Sequence, residues 1–216
     1  MISDSILSLD NAITFNVYIN EYPVFMVFWN LFLVIIPFLL FFYLKDYKKK
    51  TKFKKKSQKY FGILVFLLWL IFIPNTAYII TDMRHISYYC SFESYLKICV
   101  NNAWMIMFFF IYAIIGWISF VYLLREMKKF IGNIYNKIYS NIFIGLMIPL
   151  VSLGVLLGLL NRWNSWDLFI YPIDIIRSSL IYFSDFYYFR NWLIFTIGFY
   201  ILYFIGTKIF KDIKFK

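Results

Sequence analysis

The sequence predicts an all-α, multi-pass transmembrane helical bundle of about five spans, with the N-terminus outside and the C-terminus cytoplasmic. Three observations predict it. Apolar residues make up 62% of the 216-residue chain and charged residues only 15%, against about 45–50% and about 25% in a soluble domain. The apolar residues fall in long runs with almost no polar face, which suits lipid better than water as the solvent. The basic residues cluster between those runs. A net charge of +11 would suggest nucleic acid if it were spread over a polar surface. Clustered in this way it is a topology signal, so a nucleic-acid partner is excluded.

Residues 1–22 are mixed and acidic, with Asp4, Asp10 and Glu21. Ile6, Leu9, Ile13 and Val17 recur at spacings of three and four, which predicts a short amphipathic helix. These residues hold no Lys or Arg and no small-residue cleavage pattern, so the first apolar run is expected to stay in place as a helix. That run, 23–44, reaches about 33 Å as a helix, enough for the hydrocarbon core. Pro37 inside it predicts a kink. The second span is 60–80, interrupted by Pro74, and the third, 98–124, is long enough to tilt. The fourth, 141–160, carries Gly154 and Gly158, a G-x-x-x-G pair that lets another backbone approach closely. Packing within the chain is the expected use of that pair, ahead of dimerisation. The segment 169–189 is apolar but holds Pro172, Asp174, Arg177 and Asp185. It reads as interfacial or re-entrant. The fifth span is 191–207. Together these make one membrane domain over 1–216.

Orientation follows from the cations. Residues 45–59 hold nine lysines, 125–140 hold four basic residues and 208–216 hold four lysines, which is 17 of the 22. Five spans place these three clusters on one side, and the positive-inside rule makes that side cytoplasmic. The lysine run 45–59 is also suited to anionic lipid headgroups. Cys90 and Cys99 form no metal or redox motif. Both fall outside, where a disulfide can form.

This topology brings two polar motifs to the outer face. The first is Pro74–His85, at the end of the second span. Pro74 either kinks the helix or starts a new one at its first turn. Beyond it, Asn75, Tyr78, Asp82 and His85 follow at spacings of three, four and three, which is one helix face, with Thr81 beside it. Polar groups on one stripe face a bundle interior or a watery cavity, because lipid would leave them unsolvated. The second motif runs from Arg162 through Asn164 and Ser165 to Asp167, with Trp163 and Trp166 suited to the interface. Arg162 can pair with Asp82 or hold a phosphate. Asp82 and His85 are candidates for acid–base chemistry. Asn75, Tyr78, Thr81, Arg162, Asn164, Ser165 and Asp167 are the candidate ligand-binding set. The structural alternative is an Asp82–Arg162 pair that only staples two helix ends. A divalent cation held by Asp82, Asp167 and His85 is a lesser alternative, so no metal or other cofactor is expected.

Three blocks carry a family resemblance. They are Trp29-Asn-Leu-Phe-Leu33 with Pro37, then Pro74-Asn-x-x-Tyr-x-x-Thr-Asp82 with His85, then Arg162-Trp-Asn-Ser-Trp-Asp-Leu168. The chain resembles the bacterial integral membrane proteins grouped as domain of unknown function 1361, over about 23–207. Asn101-Asn102 and Leu159 depart from that pattern, standing where the family often has an Asp and an Arg. The resemblance implies a multi-pass protein of the bacterial plasma membrane, with the polar residues above as one recurring constellation, and supplies no reaction. The expected function is a polar site at the extracytoplasmic face that binds, or performs acid–base chemistry on, a lipid headgroup or small polar ligand. The alternatives are a small-solute or proton transporter, using Asn30 and Ser152 deeper in the membrane, and a non-catalytic accessory subunit packing through Gly154 and Gly158. No protein partner is identified.

Overall fold

The structure is a computed structural model that describes residues 18–19, 22–85 and 103–211. Its helices are α1 (Val24–Thr51), α2 (Lys56–Phe72), α3 (Pro74–Thr81), α4 (Ala103–Ile134), α5 (Lys137–Leu160), α6 (Asp167–Ile170), α7 (Pro172–Ser184) and α8 (Phe186–Ile209). A 3-10 turn, Asp82–Arg84, follows α3. Before α1, two short strands, β1 (Tyr18–Ile19) and β2 (Tyr22–Pro23), pair antiparallel. That reversal stops the expected N-terminal amphipathic helix short of residue 18. The rest of that segment lies outside the described residues, as do Cys90, Cys99, Asn101 and Asn102.

Among the described residues, five helical segments are long and apolar enough to cross a membrane: Phe25–Thr51, Lys56–Arg84, Ala103–Ile134, Lys137–Leu160 and Phe186–Ile209. Several run further than their apolar cores. The first helix continues past Leu44 because lysine is a good helix former and Lys48, Lys49 and Lys50 meet the negative end of the helix dipole. Lys52 then adopts a left-handed backbone (φ 53) and returns its N–H to the Lys48 carbonyl at 2.8 Å. The helix passes through Pro37 without ending. Asn136 starts α5 by accepting the Tyr139 N–H at 3.0 Å, and Asp185 starts α8 by accepting from Tyr187 and Tyr188. Each side chain satisfies backbone donors that the first turn leaves open.

The second span is two helices in series. Pro74 has no N–H to give to α2 and takes the first position of α3. Ile73 between them keeps helical angles, so both contribute to one crossing. Helices α4 and α5 supply much of the core, with Phe120, Leu123, Leu124, Met127, Ile148, Val151 and Val155 fully buried. Short α3 is wedged against both. A methyl group on Gly116 of α4 would stand 2.7 Å from the Thr76 carbonyl oxygen. One on Gly154 of α5 would stand 2.7 Å from the Pro74 ring, and one on Gly158 3.2 Å from the Tyr78 ring. The G-x-x-x-G face is therefore filled by the chain's own α3. This meets the expectation of internal packing.

Away from the core, the surface along the helices is apolar, with Phe28, Phe32, Leu39, Met107, Leu146 and Ile197 all exposed. A lipid-facing wall looks like this. At 13 residues, α7 is about 20 Å long, too short to cross a core of about 30 Å. It rests Ile175 and Tyr182, one helical stripe, against the bundle. Residues 186–189 of the supposed interfacial segment belong instead to the last long helix.

The three basic stretches meet at one end of the bundle. The Lys48 ammonium lies 5.1 Å from the centre of the Phe130 ring, and Arg125 donates to the Phe210 carbonyl at 2.6 Å. The polar motifs stand at the other end.

Candidate functional site

The proline break creates the first wall of the site. Because Thr76 bonds its N–H to Ile73 at 3.1 Å, the Phe72 carbonyl loses its usual helical partner. The Asn75 amide fills that role, donating to Phe72 at 3.0 Å and to the Ser165 hydroxyl at 2.9 Å. One side chain thus repairs the helix and ties it to the loop after α5. Helical spacing beyond Pro74 then presents Asn75, Tyr78, Asp82 and His85 to a cavity of about 680 Å³.

The second wall is the loop 161–166. Arg162 holds a left-handed backbone (φ 62), a conformation that glycine favours and that arginine adopts at some cost. The turn lets Trp163 give its N–H back to the Leu157 carbonyl at 3.2 Å. It folds the loop over the end of α5, so that Arg162, Asn164, Ser165 and Trp166 all line the cavity. Helix α7 pins the loop from behind. Trp163 donates its indole N–H to Ser178 at 3.1 Å, and the Tyr182 hydroxyl donates to Asn161 at 2.9 Å. Burial, then the neighbouring Tyr188, pushes the Tyr182 phenol up to about 12, so it stays protonated as that donor.

Helix α1 closes the third side. Asn30 donates to the Asp82 carboxylate at 3.1 Å. Trp29 meets Trp166 edge to face, ring centres 5.7 Å apart. The three sequence blocks, separated by 52 residues in one case and 90 in another, therefore converge on one cavity through direct contacts.

Charge is unevenly placed within it. Asp82 is 1% exposed, and its other oxygen lies 3.8 Å from His85 Nε2. That separation is within ion-pair range but too long for a hydrogen bond. Burial first, then the Arg84 and Arg162 guanidiniums, push the His85 imidazole down to about 4. The nearby carboxylate acts in the opposite sense and is outweighed, so the ring is neutral at neutral pH with one nitrogen able to accept a proton. Arg84 donates to the Tyr78 hydroxyl at 3.2 Å and the Leu159 carbonyl at 3.5 Å. Arg162 lines the cavity and is exposed. It makes no ion pair with the described residues, so the expected Asp82–Arg162 staple does not form. Asn30 and His85 occupy the carboxylate instead.

Two candidates stand apart from the cavity. Thr81 turns its hydroxyl back to the Tyr78 carbonyl at 2.6 Å, capping its own helix. Asp167 accepts from the Asn164 N–H at 2.7 Å and the Asn164 amide at 3.2 Å, bracing the loop. Asp167 is thus turned away from Asp82 and His85, and the three do not form a cation site. Among the described residues, no group of three His, Cys, Asp or Glu side chains is arranged to hold a metal.

Arg84 is not among the candidates that the sequence singles out, yet it lines the cavity. Nothing in its spacing signals this, because Arg84 lies off the α-helical stripe and the 3-10 turn changes the angular step between residues there. Asn30, weighed only as a transport group, did carry a signal. It is the lone amide in the apolar run 23–44.

Among the described residues, five helices long and apolar enough to cross a membrane surround a polar-ended cavity, as in a multi-pass helical membrane protein. The chain belongs to the family described as protein of unknown function (DUF1361), whose model matches residues 29–205. No curated protein and no solved structure matches it.

Proposed function

We propose that the protein binds a lipid headgroup or small polar ligand in this cavity, at the extracytoplasmic face of a bacterial plasma membrane, with the N-terminus outside. The reading rests on one observation: both polar motifs and the Trp29-Asn30 pair line the same 680 Å³ space. That volume lies within the range of small-molecule sites. Asp82 and His85 are the acid–base pair of this proposal. Neutral His85 accepts a proton from a ligand hydroxyl or water placed between it and Asp82, and the carboxylate stabilises the imidazolium that forms. Arg162 holds an anionic group. Asn75, Tyr78, Asn164 and Ser165 orient the rest, while Thr81 and Asp167 keep the two walls in shape.

The transport alternative has less support. Asn30 bonds Asp82 at the polar end, and Ser152 is buried with its hydroxyl toward the Trp192 carbonyl at 3.4 Å. These two groups, the ones a transport path would use, are thus engaged within the bundle.

The test is a thermal-shift screen of the purified full chain in detergent against glycerol phosphate, phosphoethanolamine and simple sugars. At least one should raise the melting temperature of the wild type by several degrees and that of Asp82→Asn and Arg162→Ala by much less. If every compound shifts wild type and both folded variants alike, the site assignment is wrong.

A further inference from the structure

The cavity is not uniformly polar, and its gradient carries information about the ligand. On α5 the lining residues are Leu150, Leu153, Gly154, Leu157 and Gly158, spaced as one helical stripe. Opposite them on α2 are Leu70 and Ile71. The polar lining residues lie toward the other end, from Asn75 to His85 and from Arg162 to Ser165, with Asn30 joined to them through Asp82. Leu150 sits ten residues before the end of α5. The apolar wall therefore reaches about 15 Å below the polar end, about half a hydrocarbon core. Leu150 lines the cavity and is 47% exposed, as a lateral opening toward the bilayer requires of it. A small polar ligand has no use for such a wall.

At the polar end, Arg162 stands without a carboxylate partner among the described residues, next to the Asn164 amide and the Ser165 hydroxyl. A guanidinium with flanking neutral donors matches the several oxygens of a phosphate. Among the described residues, the carboxylate that faces the cavity is Asp82, and it is already held by Asn30.

We infer that the ligand is a phosphate-bearing amphiphile, its acyl chain lying against Leu150 and Leu153 and its phosphate at Arg162. This rests on the polar-site reading above and narrows it. The chain enters from the bilayer through the side of the bundle at Leu150, and the headgroup comes to rest beside Asp82 and His85.

The experiment separates the two halves of the ligand. The purified full chain in dodecyl maltoside is titrated with phosphatidic acid, which has chain and phosphate, with diacylglycerol, which has the chain alone, and with glycerol phosphate. Phosphatidic acid should bind at least tenfold tighter than either of the others. Arg162→Gly, which suits the left-handed backbone and so preserves the fold, should weaken phosphatidic acid about tenfold and leave diacylglycerol unchanged. Leu153→Trp should weaken phosphatidic acid and spare glycerol phosphate. The exposed position offers Leu150→Trp as a second filling variant if Leu153→Trp fails to fold. Glycerol phosphate binding as tightly as phosphatidic acid, with no effect of either tryptophan, would overturn the chain while leaving the polar site standing. Phosphatidic acid binding that ignores Arg162→Gly would place the lipid elsewhere, such as the lysine-rich end, and overturn the inference. If no compound here or in the headgroup screen responds to Arg162 or Asp82, both readings fail together.

Discussion

At the scale of single residues, the site depends on how a few buried polar groups find partners. Asn30 is the sharpest case. Among the described residues, its amide supplies the one side-chain donor within hydrogen-bond distance of a carboxylate that is 1% exposed. Leucine in its place leaves that oxygen unsatisfied, and the loss should be about 1–3 kcal/mol of unfolding free energy, read from denaturation of the purified chain. An unchanged stability in Asn30→Leu would mean that water reaches Asp82 freely. His85 sets a pH dependence. Its folded value of about 4 lies below the ordinary 6.5, so the unfolded chain binds the extra proton between those values. The His85 contribution is complete above about pH 6.5 and is lost as pH falls toward 4. Relative to His85→Gln, the wild type should lose melting temperature as pH falls through that window. An identical profile in the variant would assign the acid sensitivity to other groups.

At the scale of elements, the fit of α3 between α4 and α5 decides whether the walls can form. Gly116 carries the tightest approach, because the opposing atom is a backbone carbonyl that cannot rotate away. Gly116→Ala should destabilise by about 1–3 kcal/mol. Gly145→Ala, where an added methyl meets nothing within 4 Å, should be neutral or mildly stabilising. Equal effects at the two positions would contradict this packing. Much at this scale was legible in advance. The periodic stripe from Asn75 to His85 needed only helical geometry beyond Pro74. The G-x-x-x-G pair announced a close approach, although nothing in its spacing identified α3 as the visitor. Helix ends were less legible. Lysines on the first helix and the side-chain caps at Asn136 and Asp185 extend helices beyond their apolar runs, and apolar content is blind to both. Arg84 escaped notice because a 3-10 turn changes the angular step between residues. The Asp82–Arg162 pairing seemed natural from charge alone, but a neutral amide on another helix reaches the carboxylate first.

At the scale of the whole molecule, the bundle has one basic end and one end that holds the cavity. Reporter fusions after Lys59, His85, Lys137, Arg190 and Lys216 should alternate inside, outside, inside, outside, inside, as the cation distribution requires. Opposite signals at His85 and at a fusion after Asp167 would separate the two walls of the site and end the shared-cavity reading. The crossing number and charge asymmetry could be read from composition because lipid imposes them on every residue at once. The convergence of Trp29, Asn75 and Ser165 could not, since it depends on which helices become neighbours.

The pairing of Asn30 with Asp82 also bears on the order in which the chain is made. Both partners belong to the first two crossings and lie 52 residues apart. The Ser165 that Asn75 needs is 90 residues beyond it. A ribosome delivers the first pair long before the last loop exists. The carboxylate, a lipid-averse group in the second crossing, can meet its amide as a nascent hairpin. It need not await the fourth crossing, and the final loop closes over a charge that is already sheltered.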